Sequence, residues 1–276
     1  MFRCLPTFFL PTFSLLYCAA AIVTAAPAID TIAGRQLETL TLRHATSQDV
    51  VVFENGSRAT LENWGAVPGR LAQQASVFAY NRPGYGHSEV AATPRDGRTV
   101  VEELRAALRV KGLPPPYVLV GHSRGGLYMQ LFARAYPHEV KALVLVDALY
   151  PRMVKKVEDF PLLTRIAGQL AFSRTVWREI EQIDATGEMI LGLPGPGAMP
   201  VLRLDNQPVS KTAIAVDFGA FRMDQATRDA VRGLYPQAIR VVADSSHQMA
   251  LTSPDIVVAA IRQMLAQPGE TALAGP

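Results

Sequence analysis

The stretch Gly121-His122-Ser123-Arg124-Gly125-Gly126 decides the fold. It follows the apolar, β-branched run 117–120 and precedes a helical pattern at residues 127–135. A G-x-S-x-G sequence between a strand and a helix is typical of a sharp, strained turn that lifts the serine hydroxyl clear of the sheet edge. The strand and helix backbones nearly touch at such a turn, so Gly121 and Gly125 supply the small residues that it requires. Ser123 is therefore the candidate nucleophile.

A serine hydroxyl needs a general base and a group that orients that base. Among the five histidines, His247 directly follows the last predicted strand, in a loop that can fold over the Ser123 turn. The others are His44, His87, His122 and His138. Because His122 immediately precedes the serine, its side chain is expected to project elsewhere. The sequence predicts His247 as the base; the alternative is a solvated loop histidine.

Three aspartates are candidates for the orienting acid. Asp147 ends an apolar strand run, which puts its carboxylate at the predicted catalytic edge of the sheet. The order Ser123, Asp147, His247 is also nucleophile, acid, base along the chain. Asp205, at the end of the next strand, and Asp217, in the loop beyond it, remain open as alternatives.

Two backbone N–H groups are expected to stabilise the oxyanion that forms during attack on a carbonyl. One is the N–H of Arg124, directly after the nucleophile. The other comes from the loop Glu54-Asn55-Gly56-Ser57, in which Ser57 is the predicted donor and Gly56 permits a close backbone approach. A plain turn after a strand would have a similar sequence.

Strands alternate with helical patterns along the chain, which predicts an α/β fold with a mostly parallel sheet and right-handed crossovers. Residues 61–71 are weakly helical with a predicted break at Pro68-Gly69, and a final helix runs from Pro254 to about Leu265. The predicted strands are residues 36–42, as an edge strand, and residues 50–53, 77–80, 117–120, 142–146, 201–204 and 239–243.

Residues 149–199 interrupt this alternation with two or three amphipathic helical patterns and a Pro/Gly-rich end at 192–197. We interpret them as a short helical cap inserted between the predicted strands 142–146 and 201–204, which would be strands six and seven of the complete fold. The core domain is then expected to comprise residues 35–148 and 200–267. The alternative is a pair of ordinary packing helices.

Composition indicates a globular chain and excludes several partners. The 276 residues are 49% hydrophobic and 18% charged, which is not the composition of a disordered protein. Net charge is +3 without a basic cluster, and Lys155-Lys156 is followed by Glu158 and Asp159, so nucleic acid is not an expected partner. No nucleotide loop, metal-binding motif or dinucleotide signature is present, and the sequence predicts neither a cofactor nor a metal.

Residues 1–25 have the pattern of an export signal. Arg3 precedes an apolar segment, and Val23-Thr24-Ala25 offers small residues for cleavage. The alternative is an uncleaved anchor helix. Both cysteines, Cys4 and Cys18, lie in this segment, so a cleaved protein would have no disulfide and no thiol nucleophile. We expect an exported enzyme, periplasmic or secreted and of bacterial type, without stable membrane insertion after cleavage.

These motifs resemble the α/β-hydrolase fold family, in its small serine esterase-like branch, from about Leu37 to Leu265. The segment 81–88 is similar to that family's D-x-x-G-x-G-x-S turn, with Asn81 in the usual aspartate position. Asn55 stands where many members carry histidine in the oxyanion loop. The segment after residues 201–204 lacks the G-x-x-D pattern that often holds the acid, but some members carry the acid where Asp147 stands.

The resemblance implies a hydrolase that cleaves carboxylic esters, lactones or thioesters through a covalent acyl-enzyme and takes a small-molecule ester as substrate. A serine nucleophile, instead of aspartate, points away from haloalkane dehalogenases and epoxide hydrolases. Acyl transfer, aminopeptidase-like cleavage and cofactor-free peroxidase chemistry remain open on the same residues. A ligand-binding member of the fold without catalysis is a further alternative.

Overall fold

The computed structural model describes residues 26–207, 219–222 and 224–267. The predicted export signal, residues 1–25, and the candidate acid Asp217 lie outside the described residues. Within the described ranges, no helix combines the length and the apolar character needed to cross a membrane.

One sheet of eight strands organises the described part of the chain. The strands are β1 (Ala28–Ile32), β2 (Arg35–Leu42), β3 (Val50–Glu54), β4 (Ser76–Tyr80), β5 (Tyr117–His122), β6 (Val140–Val146), β7 (Val201–Asn206) and β8 (Ile239–Ala243). Their spatial order is β1-β2-β4-β3-β5-β6-β7-β8. The β1–β2 and β2–β4 pairs are antiparallel and the other neighbours are parallel. This is the mostly parallel sheet that the sequence predicts.

Helices cover both faces of the sheet. They are α1 (Val67–Leu71), α2 (Gly97–Val110), α3 (Arg124–Ala135), α4 (Leu162–Ala171), α5 (Arg174–Glu181), α6 (Ile183–Leu191), α7 (Gln225–Gly233), α8 (Met249–Thr252) and α9 (Pro254–Leu265). α2, α3 and α6 pack together on one face, and α1 and α9 pack on the other. α4, α5 and α6 lie between β6 and β7, at the position predicted for the cap.

The central strands are apolar along their whole length because both of their faces are covered. Along β3, Val50 and Val52 belong to the core beneath α2 and α3, whereas Val51 and Phe53 belong to the core beneath α1 and α9. This alternation is the two-residue period of a strand. All five residues of β3 are buried, which holds the loop that follows it against the interior.

Two details of the fold differ from the sequence predictions. Residues 36–42 do not form the edge strand, because β1 pairs outside β2. The predicted helix break at Pro68-Gly69 is wrong, since α1 runs through it with the proline in its first turn, where no N–H is needed. The chain breaks instead at Gly65, whose φ is +52°.

Candidate active site

Ser123 lies at the carboxyl end of β5 in a strained backbone conformation. Its φ is +52°, in a region that residues with a side chain rarely adopt. The turn is held by the Ser123 N–H, which donates to the Val146 carbonyl at 3.1 Å, and by the Leu149 N–H, which donates to the Ser123 carbonyl at 2.9 Å. The structure thus gives the predicted nucleophile the sharp strand-to-helix turn that its neighbours favour.

The glycines of this turn allow the backbones of β5, α3 and the end of β3 to approach one another closely. A Cβ on Gly121 would lie 2.5 Å from the Cα of Gly126, and one on Gly125 would lie 2.2 Å from the carbonyl oxygen of Glu54. Neither distance is possible for a real side chain. Because of these glycines, α3 can start directly against the loop that follows β3.

Asp147 and His247 meet at the same edge of the sheet. The Nδ1 atom of His247 lies 2.6 Å from Oδ2 of Asp147, and the other carboxylate oxygen accepts from the Asn206 N–H at 3.4 Å. Asp147 directly follows the last residue of β6. Its φ of +41° is not that of a strand, so the extended backbone ends at this residue. The His247 side chain is 53% exposed, which leaves the imidazole open to a substrate and to water. Of the two candidate acids that the structure describes, Asp147 contacts His247 and Asp205 pairs with Arg240.

Asp205, the other candidate acid that the structure describes, has different partners. Asp205 belongs to β7, because this strand is two residues longer than predicted. The Asp205 carboxylate accepts a hydrogen bond from Arg240 Nε at 2.5 Å. It also lies 3.5 Å from a guanidinium nitrogen of Arg203. Asp217 is outside the described residues.

His122 contacts the candidate base, contrary to the expectation that its side chain projects elsewhere. Its Nε2 atom donates to the backbone carbonyl of His247 at 2.7 Å, and the two rings are 4.6 Å apart between centroids. This contact forms because the loop carrying His247 folds back over the end of β5. Burial, reinforced by the nearby His247 ring, lowers the pKa of His122 to about 4. His122 is therefore neutral near pH 7 and can hold the proton on Nε2.

The predicted oxyanion loop lies against the nucleophile. A Cβ on Gly56 would be 3.0 Å from the Cβ of Ser123, so only glycine leaves room there without displacement. The Asn55 amide, in the usual histidine position, donates to the Tyr80 carbonyl at 2.8 Å and accepts from Trp64 Nε1 at 2.6 Å. Both the nitrogen and the oxygen of the Asn55 amide thus have a partner.

A group of buried charges lies beneath the turn. We call it the arginine cluster, and it consists of Glu54, Arg82, Arg95, Arg124 and Glu179. Glu179 comes from α5, is fully buried and pairs with all three arginines. Burial opposes its ionisation, but the guanidiniums of Arg124, Arg82 and Arg95 outweigh burial and lower the pKa of Glu179 to about 2. No local sequence pattern reveals this cluster, although Glu54 ends β3 and Arg124 begins α3.

The helices between β6 and β7 differ in their burial. On α5 and α6, Val176 and Ile183 are buried, as packing helices require. The apolar side chains of α4 are instead exposed, and they are Leu162, Leu163, Ile166 and Leu170. Core packing therefore does not explain the amphipathic pattern of α4.

Comparison with known proteins identifies the fold. Residues 49–179 match the family described as the alpha/beta hydrolase fold. The epoxide hydrolase CorEH has a similar structure, with a TM-score of 0.63, 17% identity, and coverage of 87% of this chain and 98% of that one. The chain has the α/β-hydrolase fold. A putative lipase from Acinetobacter baumannii is similar to the same degree, with a TM-score of 0.62, 17% identity, and coverage of 87% and 90%.

Sequence relatives of this chain match only in part. The uncharacterized protein YbdG of Bacillus subtilis (strain 168) is 32% identical over 136 residues, which cover 45% of this chain and 42% of that protein. The chain thus spans less than half the length of the curated relatives that it matches. The family match contains Ser123 and Asp147 but ends before β7, so it does not reach His247.

Proposed function

We propose that this α/β-hydrolase is an exported serine hydrolase that cleaves carboxylic esters through Ser123, His247 and Asp147. The observation that carries the proposal is the 2.6 Å contact between His247 and Asp147 at the sheet edge where Ser123 adopts its strained turn. Nucleophile, base and acid are the three roles that acyl transfer through a serine requires.

In the proposed reaction, the Ser123 hydroxyl attacks the ester carbonyl while His247 takes its proton through Nε2. The Asp147 carboxylate accepts from Nδ1, which keeps the imidazole in the required tautomer and stabilises the imidazolium that forms. The N–H groups of Ser57 and Arg124 stabilise the negative charge on the tetrahedral oxygen. His247 then protonates the leaving alcohol.

The acyl-enzyme is resolved by water. His247, again neutral, takes a proton from a water molecule that attacks the acyl carbon, and Ser123 leaves with that proton. The 53% exposure of the His247 side chain is consistent with this step, since water reaches the imidazole directly. The helices between β6 and β7 are proposed to select the acyl and alcohol groups.

Intact-mass labelling with a fluorophosphonate tests the proposal. We expect one adduct on the wild-type protein and none on Ser123→Ala. Ser47→Ala is a matched control, because Ser47 lies in the loop before β3, at the opposite end of that strand. It should label like the wild type. Absence of an adduct on the folded wild-type protein would contradict the proposal and favour a binding protein.

A panel of p-nitrophenyl esters of increasing acyl length then tests the substrate class. Turnover that is lost in Ser123→Ala and in His247→Ala would support ester hydrolysis. Product analysis with added alcohols and amines distinguishes hydrolysis from acyl transfer, because a transferase forms the new ester or amide in place of the free acid.

A further inference from the structure

The side chain of Arg82 contacts the backbone of the oxyanion loop. Its Nη2 atom donates to the Gly56 carbonyl at 3.0 Å, and its Nη1 atom donates to the Asn55 carbonyl at 2.6 Å. Nη1 also pairs with the Glu54 carboxylate. One fully buried guanidinium thus holds three consecutive residues of this loop.

These two hydrogen bonds fix the direction of backbone N–H groups. In a trans peptide the carbonyl and the next N–H point in opposite directions, and the peptides of this loop are trans. Holding the Gly56 carbonyl on Arg82 therefore sets where the N–H of Ser57 points. Glycine has no Cβ and permits many backbone orientations, so at Gly56 this constraint must come from outside the residue.

Arg82 is itself held on several sides. Its Nε atom lies 3.3 Å from Glu179 of α5, and its guanidinium lies over the rings of Tyr85 and Tyr128, at 4.5 Å and 5.4 Å from their centroids. Glu179 also pairs with Arg124, the residue after the nucleophile. The Glu179 carboxylate therefore contacts the side chains of both Arg82, which binds the peptide before Ser57, and Arg124. The two predicted oxyanion donors are the N–H groups of Ser57 and Arg124.

We propose that Arg82 is a positioning residue, which orients the oxyanion loop so that the Ser57 N–H is directed at the developing oxyanion. Glu179 connects this constraint to α5. The inference rests on the proposed serine hydrolase function and deepens it. In this role Arg82 does not contact the substrate. Its loss should weaken stabilisation of the transition state and leave substrate binding largely unchanged.

The test compares Arg82→Lys with Arg95→Lys. Lysine keeps the charge but lacks the planar fork that bridges the Asn55 and Gly56 carbonyls. Arg95 is the matched control, because it is equally buried and pairs with Glu179 at 3.2 Å, and its hydrogen bonds go to Glu103 and Glu179, not to the loop. Ester turnover, fluorophosphonate labelling rate and thermal stability are measured for both variants and the wild type.

We expect Arg82→Lys to lower kcat about 100-fold, the order of effect seen when one oxyanion donor is lost, and to slow labelling similarly. KM should change by less than about threefold, because the ground-state ester does not depend on this donor. Arg95→Lys should lose comparable thermal stability and keep kcat within about twofold. Equal losses of kcat in the two variants, or an unchanged kcat in Arg82→Lys, would overturn the inference.

Should Arg82→Lys not fold, the double variant Glu54→Gln/Arg82→Gln is compared with Glu54→Gln alone. The double variant removes a buried charge of each sign and still loses the bonds to the loop. A kcat at least tenfold below that of Glu54→Gln supports the inference, and an equal kcat overturns it. Absence of labelling in the wild type overturns the proposed function and this inference together, whereas labelling that is insensitive to Arg82→Lys overturns this inference alone.

Discussion

His247 and Asp147 are 100 positions apart in the chain, and their side chains meet at 2.6 Å between Nδ1 and Oδ2. The contact depends on two separate loops, one after β6 and one after β8, that end at the same edge of the sheet. In the proposed mechanism this hydrogen bond leaves Nε2 unprotonated and able to accept the Ser123 proton.

Replacing Asp147 by asparagine should remove most of the turnover. An amide in this position stabilises the wrong imidazole tautomer, and the corresponding change in another serine triad lowers kcat by about 10⁴-fold. Asp205→Asn is the control, since Asp205 pairs with Arg240 and not with His247, and its kcat should stay within about threefold of wild type. Steady-state kinetics on one p-nitrophenyl ester measures both. A larger loss of kcat in Asp205→Asn than in Asp147→Asn would show that Asp205 is the orienting acid.

His122 should make the protein sensitive to acid. Its pKa is about 4 in the folded protein and 6.5 in the unfolded chain, so below pH 6.5 the unfolded chain binds a proton that the folded protein does not. The stabilisation is complete above pH 6.5 and is lost as the pH falls to about 4, amounting to about 3 kcal/mol.

Urea unfolding of wild type and His122→Asn at pH 7, 5.5 and 4 measures this effect. The free energy of unfolding of the wild type should fall further with pH than that of the variant, because asparagine does not titrate. Groups other than His122 titrate in both proteins and cancel in the difference. Parallel pH dependences would show that His122 titrates normally in the folded protein.

Gly125→Ala should disrupt the turn that carries Ser123. The added Cβ would lie 2.2 Å from the carbonyl oxygen of Glu54, a backbone atom that moves only with β3. We expect the free energy of unfolding to fall by at least about 3 kcal/mol, with loss of fluorophosphonate labelling. Gly233→Ala, at the end of α7 with no atom within 4 Å of the new Cβ, should leave stability unchanged or raise it by up to about 1 kcal/mol. Comparable losses in both variants would contradict the close-contact explanation.

Glu179→Ala should be far more costly than removal of an exposed carboxylate from the same region. It leaves three buried guanidiniums with one fewer counter-charge, and breaking a buried pair costs about 3–5 kcal/mol. Glu188→Ala removes the exposed pair with Arg152 and should cost less than about 1 kcal/mol. Thermal and urea unfolding at pH 7 give both values. Similar losses in the free energy of unfolding for the two variants would mean that water reaches the arginine cluster.

Sequence patterns determined the features that depend on neighbouring residues. A strand, a glycine-flanked serine and a helix occur within residues 117–135, and the steric demand of the turn follows from that order alone. The alternation of strands and helices likewise predicts the parallel sheet, since each element's period is local. His247 could be selected because its segment directly follows the last strand.

Only the tertiary structure decided which side chains meet across the sheet edge. Asp147 and Asp205 both end apolar strands, and their different partners, His247 and Arg240, depend on where distant loops cross. The contacts of Arg82 with Gly56 and with Glu179 span 26 and 97 positions, so no local pattern contains them. Side-chain pairing of this kind follows from the three-dimensional path of the backbone, which local periodicity and turn chemistry do not specify.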